Sequence, residues 1–143
     1  MIAIASDHGG LDLKNAIVAS LREQQIECID LGTDGTASVD YPDFAEKVAT
    51  TVASGEAKAG ILVCGTGIGM SISANKIPGI RAALVHDEFT ARMAAEHNDA
   101  NILVLGGRVL SVEQGLRLVN VWLTSRYEGG RHQQRLDKIT ALE

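Results

Sequence analysis

The chain has 143 residues, enough for one domain with a full core and too few for a nucleotide-binding domain beside a separate substrate domain. Apolar residues at 45% and charged residues at 22% are ordinary globular values, and a net charge of −5 leaves no electrostatic footprint for nucleic acid. No apolar stretch approaches the ~20 residues of a membrane span. The sequence enters Ile2-Ala3-Ile4-Ala5 without a basic leader or cleavage signal, so a cytoplasmic protein is expected, with neither membrane nor nucleic acid as partner.

Met1 to Ser6 reads as a buried strand. Leu11, Leu13, Ile17, Val18 and Leu21 then give a helical stripe to about Gln24. Between them lies Asp7-His8-Gly9-Gly10; Asp7 suits a helix cap, but an Asp-His pair at the carboxyl end of a strand also stands where open α/β sheets bind ligands. Ile26 to Gly32 reads as a second strand, with Cys28 packed in it. A polar loop from Thr33 to Asp40 leads to a helix near Pro42, a residue suited to a first helical turn. Tyr41 just before it either faces a ligand or packs on the helix start.

Gly60-Ile61-Leu62-Val63-Cys64 is the central strand, and Ile68 to Lys76 the helix after it. Further strands are expected at Ile80–Val85 and Ile102–Leu105, with helices at Glu88–Glu96, where Asp87 is the natural cap, and from Val112 to about Arg126. A last helix opens in the tail, where Arg131 and Arg135 share a face four residues apart. That spacing describes a solvated basic pair unless an anion needs it. Strands alternating with helices at this spacing predict one doubly wound, three-layer α/β/α domain over residues 1–143, Rossmann-like, with a five-stranded parallel sheet and an extra C-terminal helix.

The chemistry centres on Cys64-Gly65-Thr66-Gly67-Ile68-Gly69. Glycines let backbone N–H groups approach a bound oxyanion, and a thiol beside a helix start is poised as nucleophile or base. The plainer reading of Cys64 is a small apolar residue closing a strand. A dinucleotide site is disfavoured because Met70 stands where G-x-G-x-x-G needs its third glycine, and P-loop and serine-hydrolase sequences are absent. His8, His86, His97 and Asp7 show no metal-ligand spacing, and the two cysteines form neither a C-x-x-C pair nor a zinc motif. What remains suits proton abstraction beside a carbonyl, with the enediolate held by preorganised donors and a remote phosphate by arginines.

The sequence resembles the sugar-phosphate isomerase family that contains ribose-5-phosphate isomerase B and the galactose-6-phosphate and allose-6-phosphate isomerases. The resemblance rests on Ala5-Ser6-Asp7-His8-Gly9-Gly10, Val39-Asp40-Tyr41-Pro42, Cys64 to Gly69, Ala74-Asn75-Lys76, Gly79-Ile80-Arg81-Ala82, His97-Asn98-Asp99 and Gly129 to Arg135, which span nearly the whole chain. It implies an aldose-ketose isomerase, acting most simply on ribose 5-phosphate through a cis-enediol. Cys64 would be the base with Thr66 beside it, the amides of Gly65, Gly67, Ile68 and Gly69 would hold the enediolate oxygen, and His97 would be the ring-opening acid. Asp7, His8, Tyr41, Asn98, Arg108, Arg131 and Arg135 would contact the sugar or its phosphate. It further implies homodimers or dimers of dimers with the site at the subunit boundary, and no metal or organic cofactor. Some relatives replace the cysteine and use a glutamate along the central helix; Cys64 is present here, and the position near Ser73 is not acidic. Thr33 to Val39 and His86 to Thr90 are segments where substrate preference can change. Two alternatives stay open: an isomerase of erythrose 4-phosphate, allose 6-phosphate or galactose 6-phosphate, and a module that binds a sugar phosphate without turnover.

Overall fold

The computed structural model describes residues 1–143. Five strands, β1 (Ile2–Ser6), β2 (Cys28–Asp30), β3 (Ala59–Cys64), β4 (Ala82–Leu84) and β5 (Ile102–Gly106), form one parallel sheet in the order β2-β1-β3-β5-β4. The helices are α1 (Leu11–Glu23), α2 (Tyr41–Ala53), α3 (Ile68–Ala74), α4 (Glu88–Glu96), α5 (Val112–Thr124) and α6 (Arg131–Thr140). None is long and apolar enough to cross a membrane.

The three central strands are buried along nearly their whole length, as their unbroken apolar sequences require of a sheet covered on both faces. Alternate side chains divide the core. Ile2, Ile4, Ile61, Val63, Leu103 and Leu105 pack with α1, α4 and α5, whereas Ala3, Ala5, Leu62, Cys64, Ile102 and Val104 pack with α2 and α3. The division follows from right-handed crossovers: the chain moves one way across the sheet from β1 to β2 and from β4 to β5, and the other way from β2 to β3 and from β3 to β4.

The edge strands are shorter than their sequences suggest. β2 covers only Cys28–Asp30 of the expected Ile26–Gly32, and β4 only Ala82–Leu84 of Ile80–Val85, because each has a ladder partner on one side alone. α2 begins one residue early, at Tyr41, and α3 and α5 each end two residues early, at Ala74 and Thr124. A 3-10 turn, His8–Gly10, precedes α1, with Asp7 capping it by accepting the Gly9 N–H at 2.8 Å. Asp87 caps α4 in a reciprocal box with Thr90, whose backbone N–H and hydroxyl hold the Asp87 carboxyl below its usual range. Lys14 is fully buried in the stripe of α1. Its ammonium lies 2.9 and 2.8 Å from the two Asp30 oxygens and 2.6 Å from the Thr33 carbonyl, tying the end of β2 to the helix.

Candidate active site

The chain leaves β1 in one direction and β3 in the other, so the connections after these neighbouring strands diverge at their carboxyl ends, the usual ligand position in such sheets. The register sets Ser6 beside Val63 and Cys64 beside Gly106, which brings Asp7, Cys64 and Gly106 to one level. Backbone bonds lace the loops together: Asp7 N–H to Val63 O at 3.2 Å, Gly107 N–H to Cys64 O at 2.8 Å, and Arg108 N–H to Gly65 O at 2.9 Å.

Gly67 has φ +80°, the left-handed region that favours glycine, and this turns the chain from β3 into α3. The turn aims the Gly67 amide at Cys64, whose Sγ accepts its N–H at 3.2 Å. The Ile68 amide donates to Thr66 Oγ1 at 3.2 Å, leaving the hydroxyl hydrogen free to donate elsewhere. Two of the expected oxyanion donors are therefore engaged inside the loop. The amides of Gly65, Thr66 and Gly69 make no bond within the chain and form the available set.

Around this nest stand the other residues of the first half-site. His8 Nδ1 accepts the Val39 N–H at 3.2 Å, so in the neutral ring the proton sits on Nε2. The Arg108 guanidinium lies over Gly65, close enough that a side chain there would meet Nη1 at 3.1 Å. Tyr41 packs its ring so closely on Gly69 that a Cβ at Gly69 would run into it, yet the residue stays 40% exposed. Ile68 points outward, 54% exposed, so its contribution to the nest is its backbone.

His97, Asn98, Arg131 and Arg135 are elsewhere. His97 ends α4, and three residues after Asn98 the Asn101 carbonyl accepts the Gly60 N–H at 2.8 Å, at the start of β3. From Gly60 to Cys64 the strand climbs four residues, about 13 Å. The expected site is thus split between opposite edges of the sheet. At the lower edge the His97 ring stacks on His132, 4.1 Å between centroids and 20° from parallel, and its Nε2 lies 3.6 Å from Glu128 Oε1. His132 is buried at the start of α6. Burial, with the charges of His97 and Arg131 near it, lowers its pKa below the ordinary histidine value. Arg131 and Arg135 are exposed on the same helix.

His97, Glu128 and His132 form the group whose ligand atoms lie closest together, within 4.8 Å. Lone pairs lie in the ring planes, and two nearly parallel planes do not converge on one ion; the arrangement is a stack rather than a ligand set. Glu128, His132 and Lys14 are the residues that sequence reasoning missed. Glu128 immediately precedes the Gly129 to Arg135 motif and His132 lies inside it, and Lys14 was visible as the one charge on the apolar stripe of α1.

A family model described as Ribose/Galactose Isomerase matches residues 2–139. The chain belongs to the ribose/galactose isomerase family. Among its relatives in that family, ribose-5-phosphate isomerase B of Escherichia coli is 49% identical over 142 residues, 99% of this chain and 95% of that one. The solved structure of Clostridium thermocellum ribose-5-phosphate isomerase B superposes with a TM-score of 0.98 at 53% identity, covering 99% of this chain and 95% of the other. That of Mycoplasma genitalium ribose-5-phosphate isomerase B with bound ribulose-5-phosphate gives 0.95 at 45% identity, over 99% and 94% of the two chains. In this member of the ribose/galactose isomerase family, a thiol, a donor aimed at its sulphur and three free amides share one loop, the equipment for moving a proton beside a carbonyl.

Proposed function

We propose that the chain is an aldose-ketose isomerase that interconverts D-ribose 5-phosphate and D-ribulose 5-phosphate through a cis-enediolate. The observation that carries the reading is the Gly67 N–H on Cys64 Sγ at 3.2 Å, in a chain whose family members are named for this activity. The donor sits on the atom that must bear charge once the thiol has lost its proton. The Cys64 thiolate takes the C2 proton of the open-chain aldose. The electron pair moves onto the carbonyl oxygen at C1, which the Gly65, Thr66 and Gly69 amides receive. The C2 hydroxyl gives its proton to the C1 oxygen, and return of the abstracted proton to C1, as the C2 oxygen becomes a carbonyl, yields the ketose. Thr66 presents its hydroxyl beside the sulphur, Asp7 and Tyr41 line the sugar, and His8 and Arg108 face its polar end.

His97 opens the furanose ring, Asn98 holds a sugar hydroxyl, and Arg131 and Arg135 hold the phosphate. These four belong to a second copy of the chain, because within one chain they lie at the other edge of the sheet. Pairing is supported by α6, which buries only His132 and Leu136 against its own chain, and by Ile68 and Ile72, exposed apolar residues on the helix next to Cys64. A two-fold dimer would complete two sites at once, and a dimer of dimers would keep the same pairing. Each chain is one catalytic domain over residues 1–143, working in the cytoplasm.

The test is turnover of ribose 5-phosphate by purified protein in EDTA without added cofactor, beside erythrose 4-phosphate, allose 6-phosphate and galactose 6-phosphate and with Cys64→Ala as control. Fast, cysteine-dependent conversion of ribose 5-phosphate is expected. Preference for another sugar would change the substrate alone, and no turnover on any of them would leave a binding module.

A further inference from the structure

The turn between α5 and α6 wraps His97 on two sides. Glu128 donates its backbone N–H to the Glu96 carbonyl at 3.0 Å, which fastens it to the residue before His97 and sets its carboxylate 3.6 Å from His97 Nε2. Gly129 and Gly130, with φ +68° and +58°, reverse the chain at once, so that His132 returns to cover the face of the same ring. The Tyr127 hydroxyl donates to Gln133 Oε1 at 3.0 Å and closes the turn from its other side. An imidazole at a helix end is free to rotate; one stacked across its face and met at one nitrogen by a carboxylate has a single orientation. The nitrogen facing the carboxylate carries a proton, and the other is the one left for a substrate. At 3.6 Å the pair is a small rotation from a hydrogen bond, and such contacts tighten when a site fills.

We infer that Glu128 is a positioning residue for His97, fixing the ring nitrogen that serves the sugar in ring opening. The inference rests on the reading of His97 as the ring-opening acid. In that step protonated His97 gives its proton to the ring oxygen as the C1–O bond breaks and its electron pair goes to that oxygen. The anomeric hydroxyl loses its proton to water as C1 becomes the aldehyde. Glu128 touches neither the sugar nor the reacting atoms.

Ribulose 5-phosphate separates this step from the proton transfer. Its C5 hydroxyl is phosphorylated, so the ketose has no furanose ring, and exchange of its C1 hydrogen with D2O requires the thiol and the amides but no ring opening. Glu128→Gln should lower kcat for ribose 5-phosphate about 10–100-fold, as loss of an orienting carboxylate does. C1 exchange in ribulose 5-phosphate, followed by proton NMR, should stay within about twofold of the starting protein on the same principle, and Glu128→Asp should recover part of the lost turnover. Equal losses in the two assays, or no loss in either, would overturn the inference. If the unaltered protein performs neither reaction, the isomerase reading itself falls; Cys64→Ala, which should abolish both, marks the difference.

Discussion

Cys64 and His97 stand at opposite ends of one sheet. Cys64 closes β3 at its carboxyl edge, whereas His97 closes α4 just before the Asn101 carbonyl meets the Gly60 N–H at the start of the same strand. The proposed site uses both, and so would take them from two chains. Mixed Cys64→Ala and His97→Ala proteins should therefore regain activity, since each hybrid dimer has one intact site. Random exchange at equal concentrations makes half the dimers hybrid, so recovery should approach about a quarter of the unaltered rate. Absence of recovery after mass spectrometry has verified exchange would put both groups in one subunit.

Cys64→Ala should fold, because alanine fits a strand end packed by Met70 and Ala74, yet its turnover should fall by about 10²–10⁴, the usual contribution of a general base. Steady-state kinetics together with thermal melting separates lost chemistry from lost structure. Turnover near that of the unaltered protein would remove Cys64 as the base.

On the proposed role of the two arginines, Arg131→Ala and Arg135→Ala would each remove a charge-assisted phosphate contact worth about 1.5–3 kcal/mol, so KM for ribose 5-phosphate should rise about 10–100-fold. Unphosphorylated ribose should show little change. Equal effects on both sugars would argue against a phosphate clamp.

The acid limb of stability should report His132. Its folded pKa lies below the unfolded value of 6.5, so at pH values between the two the unfolded chain binds more protons. The stabilisation is complete above the unfolded value and is lost as pH falls through it toward the folded one. Melting temperature should decline from pH 7 to pH 5, and His132→Phe should flatten that slope; an unchanged slope would show that other groups set it.

Lys14→Met leaves Asp30 and the Thr33 carbonyl without their cation. Breaking a fully buried pair costs about 3–5 kcal/mol, and because Asp30 keeps some access to water, roughly 2–3 kcal/mol is expected here. Chemical denaturation measures it; a loss under about 0.5 kcal/mol, the range of ordinary surface changes, would mean that water replaces the ammonium without difficulty.

The glycine-rich turn after β3, the Asp7-His8 pair after β1 and the alternation of strands and helices were all readable in the sequence, because each depends on residues a few positions apart. Glycines at 65, 67 and 69 announce a backbone that approaches a ligand, and the apolar runs of β1, β3 and β5 announce strands covered on both faces. The motif around Gly129-Gly130 marked its own importance. It did not reveal that Glu128 and His132 grip His97, since that contact joins residues more than 30 positions apart in the chain.

Local spacing thus determined the class of fold, the positions of most helices and strands, and the loop that holds Cys64. Only the tertiary structure decided the strand order β2-β1-β3-β5-β4, the burial of Lys14 against Asp30, and the separation of Cys64 from His97. The physical reason is direction. Periodicity reports which face of an element is apolar, whereas the edge of the sheet at which a residue emerges depends on how the crossovers carry the chain, and every helix in a parallel sheet returns its last residue to the edge opposite the site.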